Sequence, residues 1–267
     1  MYRGFNLKDF TYDIDRQYYK VGKAIQEIEF FRIKEAFENY FINNKYLDGS
    51  EIMSEWFPIK KGHIFLSHSH KDLDLALSIA GLLKNKFNLE VFVDSTVWLN
   101  SSDLLKIIDN RFTKNIDGLN YNYEKRNYST SHVHIMLMSS LNKMIDNCEA
   151  LFFLNTPNSL HVGESIREHT FSPWIYSEIE TSKIINKKTP ERLLPKTKIF
   201  SDILEKAVML NESTTPELQI AYKMGLDHLI DIDYWDFNSW INSSAYSPHN
   251  ALDNLYKENQ LENIKIN

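Results

Sequence analysis

What most constrains this chain is a repeated alternation of short apolar runs with stretches of helical period. Residues 63–66 (HIFL) follow the turn signal Lys61-Gly62, and 72–87 then carries Leu75, Ile79, Leu82 and Leu83 at helical spacing. Residues 89–93 form a second β-rich run that ends at Asp94. Strand, helix and strand in that order predict a parallel βαβ unit, because parallel neighbours need a long crossover and a helix usually supplies it. Ser101-Ser102-Asp103 offers N-caps for a helix over 104–112, and a helix over 132–147 leads into the apolar strand 150–154. Ser172-Pro173 opens another helix, since Ser caps and Pro suits the first helical position. The pattern is that of an α/β protein with an open, doubly wound sheet, in which ligands bind outside the carboxyl ends of the strands near the switch in strand order.

The flanks are less regular. Residues 1–58 carry Ile14, Tyr18, Val21, Ile25 and Ile28 at three- and four-residue steps, and no Gly or Pro interrupts 23–44. A long helix is expected there, as an N-terminal helical extension ahead of a domain over 59–267. Residues 115–131 are polar and aperiodic and read as a surface insertion. Residues 193–203 fit either strand or helix. Thr215-Pro216 opens a helix that stops at Gly225, 228–232 reads as a last strand, and Ser247-Pro248 begins a C-terminal helix. The net charge of −6 gives no electrostatic reason to expect nucleic acid or an anionic membrane as partner. The lone Cys148 cannot close an internal disulfide, which fits a reducing compartment. No apolar stretch approaches about 18 residues, and the start lacks the basic-then-apolar pattern of a signal peptide. A cytoplasmic protein is expected.

Residues 63–74, HIFLSHSHKDLD, carry the chemistry and admit three readings. As HxHxD, His68, His70 and Asp72 resemble the start of the metallo-β-lactamase pattern, with His132 or His134 as a distant ligand. Leu73 stands where that pattern needs its last His, the remaining spacing is poor, and the αβ alternation disagrees with that family's layers. No metal is therefore expected. A second reading makes the histidines plain turn residues. The third makes this a ligand-facing turn at the end of a strand, and the crevice rule favours it.

A family resemblance supports that third reading. IFLSHSHKD, then LEVFVDS one helix later, then SPWIYSEIETSK resemble the TIR (Toll/interleukin-1 receptor) domain over roughly 62–240. In that family a first strand ends in a Ser-rich turn and a second strand runs into a mobile loop. A later helix carries Trp-x-x-x-Glu, matched here by Trp174 and Glu178. The TIR fold is a flavodoxin-like open parallel sheet flanked by helices. The resemblance implies an NAD⁺-consuming enzyme of the bacterial type, with NAD⁺ as substrate and no cofactor, that cleaves the nicotinamide–ribose bond. Nicotinamide is already a cationic leaving group, so one carboxylate suffices where glycosidases use two. Glu178 is the expected catalytic residue. Ser67, His68 and Ser69 at the first strand's end, Asp94 at the second's, Trp98 in the loop beyond and Trp174 are the expected substrate-binding residues. Glu180 sits about 200° around the helix from Glu178 and should face elsewhere. His132 and His134, two apart on one helix, should lie on different faces. Self-association through TIR surfaces is implied, as is a nucleotide product that signals to an effector, as in antiphage systems such as Thoeris. A non-catalytic TIR scaffold is the alternative.

Overall fold

The computed structural model describes residues 1–9, 14–30, 37–42, 46–59, 62–115, 118, 120–160, 168–194, 220–245 and 247–259, with the side chains of 26–30, 38 and 96–100 left aside. Five strands build one parallel sheet: β1 (Arg3–Leu7), β4 (Ile64–Ser67), β5 (Val91–Val93), β6 (Ala150–Leu154) and β9 (Ile230–Ile232). Two short antiparallel pairs stand apart from it, β2 (Phe41–Ile42) with β3 (Tyr46–Leu47) and β7 (His169–Thr170) with β8 (Tyr222–Lys223). The helices are α1 (Arg16–Phe30), α2 (Gly49–Trp56), α3 (Leu73–Phe87), α4 (Ser95–Phe112), α5 (Tyr123–Asn147), α6 (Pro173–Ile184), α7 (Tyr234–Ile241) and α8 (Pro248–Glu258).

The sheet order is β5-β4-β6-β1-β9, with every pairing parallel. Counted from β4, its first three positions follow the flavodoxin-like order 2-1-3, and the open sheet is flanked by helices as the alternation predicts. The fourth position is filled from the N-terminus. β1 lies between β6 and β9, with Phe5 opposite both Phe152 and Ile230. The segment read as a helical extension thus begins with an interior strand and only then turns to helix.

Burial on both faces explains why the strands read as unbroken apolar runs. Successive side chains point to opposite sides. Phe5, Leu7, Leu66, Phe152 and Leu154 join one core with α3, α7 and α8. Phe65, Phe92, Leu151 and Phe153 join a second core with α2, α4, α5 and α6. α1 packs on α3 through backbone contact at two glycines. A Cβ on Gly81 would stand 1.9 Å from the Tyr18 carbonyl oxygen, and one on Gly22 would stand 2.0 Å from that of Leu77.

Several element boundaries differ from expectation. α1 ends by Phe30, and residues 37–40 form a 3-10 turn ahead of β2, so no single helix spans 23–44; residues 31–36 lie outside the described residues. α4 starts at Ser95, not Leu104, which puts Trp98 in a helix and not in a loop. α5 starts at Tyr123, capped by Asn122, whose side chain accepts from the Lys125 N–H at 3.0 Å. About half of the expected insertion is therefore the first turns of a helix, polar because they face solvent. Residues 195–219 lie outside the described residues, and with them most of the two expectations there; the Thr215–Gly225 reading ends in strand β8. No helix among the described residues is long and apolar enough to cross a membrane.

Candidate functional site

Four elements converge at the point where the strand order reverses. β4 delivers Ser67 and His68, β5 runs into Asp94 and Ser95, and β6 runs into Asn155 and Thr156. α6 delivers Glu178. That helix is started by Ser172, whose Oγ accepts from the Ile175 N–H at 3.3 Å, and by Pro173 in its first turn. Ile175, Glu178, Ile179 and Ser182, four of its five buried residues, recur at helical spacing on the face turned to the core. Glu178 is therefore carried inward by its apolar neighbours and is 2% exposed. Glu180 points away and pairs with Lys183.

A buried carboxylic acid among apolar residues needs partners. Among the described residues neither oxygen of Glu178 receives a hydrogen bond of regular geometry, and the Ser67 hydroxyl is likewise unsatisfied. Ser67 and Asp94 are the polar groups close enough to act on Glu178. Burial holds the Glu178 carboxyl well above the ordinary carboxylate range, the Asp94 charge raises it further, and Ser67 opposes both. The two acids are a close pair in which one proton is shared most cheaply.

Asp94 has a second neighbour. His68 Nδ1 stands 2.7 Å from Asp94 Oδ1, with the Leu66 carbonyl 3.3 Å from the same nitrogen, and His68 Nε2 stands 2.8 Å from Ser95 Oγ. Burial works against a charged imidazole here. Asp94, the Leu66 carbonyl and Asp72 outweigh it, so the His68 pKa is raised. The crevice thus holds His68 and Asp94 in buried contact, lying against Glu178.

Of the residues expected from sequence, Ser67, His68, Asp94 and Glu178 come together. Ser69 does not join them; its Oγ accepts from the Lys71 N–H at 3.4 Å and caps the 3-10 turn of 70–72. Trp174 is half-buried one turn before Glu178, its ring set edge-on to His134 of α5 at 5.4 Å. His132 meets Tyr128 instead, at 4.5 Å, so the two histidines do face different neighbours. Trp98 lies in the first turns of α4, and its side chain falls outside the described ones. His68 is buried while His70 is exposed, so the HxHxD pattern does not converge; among the described residues no three His, Cys, Asp or Glu side chains are grouped to hold a metal.

Sequence reasoning missed the second layer. Asp72 is buried and accepts from Thr156 Oγ1 at 2.5 Å and Asn158 Nδ2 at 2.6 Å, which fastens the loop after β6 to the start of α3. Asn155 Nδ2 donates to Asn6 Oδ1 at 3.0 Å, and Asn6 Nδ2 donates to Asp231 at 2.7 Å, tying together the ends of β6, β1 and β9. The usable signal was a polar NTPNS turn directly after a wholly apolar strand. Two cavities formed by described residues lie elsewhere, one of about 670 Å³ between α2, α4 and α5 and one of about 530 Å³ by the N-terminal ends of β1 and β9. No family model, no curated protein and no solved structure matches the chain.

Proposed function

We propose that this protein is a TIR-type enzyme that cleaves the nicotinamide–ribose bond of NAD⁺. The observation that carries the reading is Glu178, a carboxylic acid fully buried at the switch point of an open α/β sheet, with both oxygens unsatisfied and a second acid beside it. Buried unsatisfied groups cost stability and call for a use. In this reading the crevice opens to admit substrate, and the positive nicotinamide ring favours the ionised form of Glu178, whose proton passes to water. The carboxylate then holds the ribose hydroxyls and stabilises the oxocarbenium charge as the bond breaks. Ser67 is the nearest donor for orienting either the carboxylate or a ribose hydroxyl. His68 touches Asp94 and, in this reading, acts through it.

The product is ADP-ribose, a cyclised isomer, or ADP-ribose joined to an acceptor, depending on what attacks the cation. As in Thoeris-like antiphage defence, such a product would signal to an effector, with self-association through TIR surfaces completing the site. The scaffold reading draws on one observation, the 2% exposure of Glu178. Incubation with NAD⁺, with and without infected-cell lysate, followed by mass spectrometry separates the two. Free nicotinamide with a matching ADP-ribose species is expected, and intact NAD⁺ in both arms would favour the scaffold.

A further inference from the structure

The geometry points to His68 as a positioning residue: as an imidazolium clamped to Asp94, it keeps that acid ionised and leaves the proton of the acid pair on Glu178 until a cation enters. The inference deepens the reading just given and rests on it for its functional meaning, though its charge arrangement is testable without substrate.

The contacts define the role. His68 is 2% exposed, Asp94 3% and Glu178 2%, so no solvent screens the three. The His68 ring bridges two elements, with Nδ1 2.7 Å from Asp94 Oδ1 and Nε2 2.8 Å from Ser95 Oγ. Among the described residues, the charged or titratable groups facing this cluster can be named. The end of β4 contributes His68, the turn into α3 contributes Asp72, the β5–α4 junction contributes Asp94, and α6 contributes Glu178. Asp72 is further off and already holds Thr156 and Asn158. Among the described residues one cation therefore serves two close acids, and it is in contact with Asp94. Asp94 takes the negative charge and Glu178 remains neutral.

A rival reading exists. Asp94, His68 and Ser95 have the spacing of a hydrolase triad, acid to Nδ1 and hydroxyl to Nε2. A triad needs a neutral imidazole that takes the serine proton. Here the acid neighbours favour the doubly protonated ring, which has no lone pair to take a proton from Ser95. Ser95 is also only 3% exposed.

The test is an NMR titration of the histidine ring nitrogens in the full-length protein. Both His68 nitrogens should carry protons at pH 7, and in Asp94→Asn protein the ring should turn neutral at that pH, because burial is then opposed only by the Leu66 carbonyl and Asp72, the two smallest influences on it. A wild-type His68 with one bare nitrogen at pH 7 would overturn the proposal, and that arm depends on no variant folding. A His68 titration unchanged by Asp94→Asn would overturn it too. The pH profile of nicotinamide release supplies the second arm. Its acidic limb should move down in Asp94→Asn, where Glu178 loses a like charge, and up in His68→Gln, where the acids lose their cation, each by about one unit or more. Limbs that stay in place while only the maximal rate drops would reduce His68 to a structural residue. If wild-type protein releases no nicotinamide, the proposed reaction fails, and the titration alone decides the charge arrangement.

Discussion

Glu178→Gln should change the pH dependence of stability in a way set by one proton. The side chain keeps its shape and loses its ability to ionise. In the unfolded chain Glu178 titrates near its ordinary value of 4.5, while in the fold burial and Asp94 raise it well above that. Below pH 4.5 both states hold the proton, so the group contributes no pH dependence. Above it the unfolded chain ionises while the folded protein stays protonated. Wild-type stability therefore falls by about 1.4 kcal/mol per pH unit through this group, until the folded carboxyl ionises as well. The Gln variant lacks that slope. Urea denaturation of both proteins from about pH 4 to pH 7 gives the difference directly, and the loss of His68-linked stability with rising pH largely cancels because both proteins share it. The variant should gain on wild type steadily as pH rises. A difference that stays flat with pH, or shrinks, would mean that Glu178 is solvated and that the buried acid pair does not exist.

Three further outcomes follow from the packing. Gly81→Ala places a Cβ 1.9 Å from the Tyr18 carbonyl oxygen, so α1 and α3 must separate; a loss of about 1–3 kcal/mol in chemical denaturation is expected despite alanine's better helix propensity, and an unchanged midpoint would show that the helices do not touch there. Asp72→Ala strands the Thr156 and Asn158 donors, at a cost of about 2–4 kcal/mol, whereas Asp72→Asn should cost less; equal stability in all three proteins would refute the tie between α3 and the loop after β6. The Cys148 thiol is 2% exposed and burial pushes it up to about 12, so a thiol reagent at neutral pH should label it only when denaturant is added, and rapid labelling of native protein would contradict its placement.

The sequence was most legible where local pattern and tertiary context agree. ALFFL of β6 and HIFL, one residue ahead of β4, read as buried strands, and Ser172-Pro173 marked the start of α6. β1 escaped because Arg3, Gly4 and Asn6 break its apolar run, and only the gap between β6 and β9 makes RGFNL a strand. α4 was begun too late because Ser101-Ser102-Asp103 looks like a cap, although the chain was already helical from Ser95. Charge-rich helix starts such as 123–128 resemble loops because both face water. Glu178 was reachable through the Trp174–Glu178 spacing, and its burial fits the apolar face that Ile175 and Ile179 define. The contact of His68 with Asp94 was not reachable. Asp94 is brought to His68 by the pairing of β4 with β5, a contact that no local pattern encodes.

The most direct measurement is the rate of nicotinamide release from NAD⁺ by wild-type protein and by Glu178→Gln protein shown by circular dichroism to be folded. The account predicts release by wild type and a loss of about a hundredfold or more in the variant, because the charge that stabilises the oxocarbenium ion is gone. Equal rates from the two proteins would contradict it.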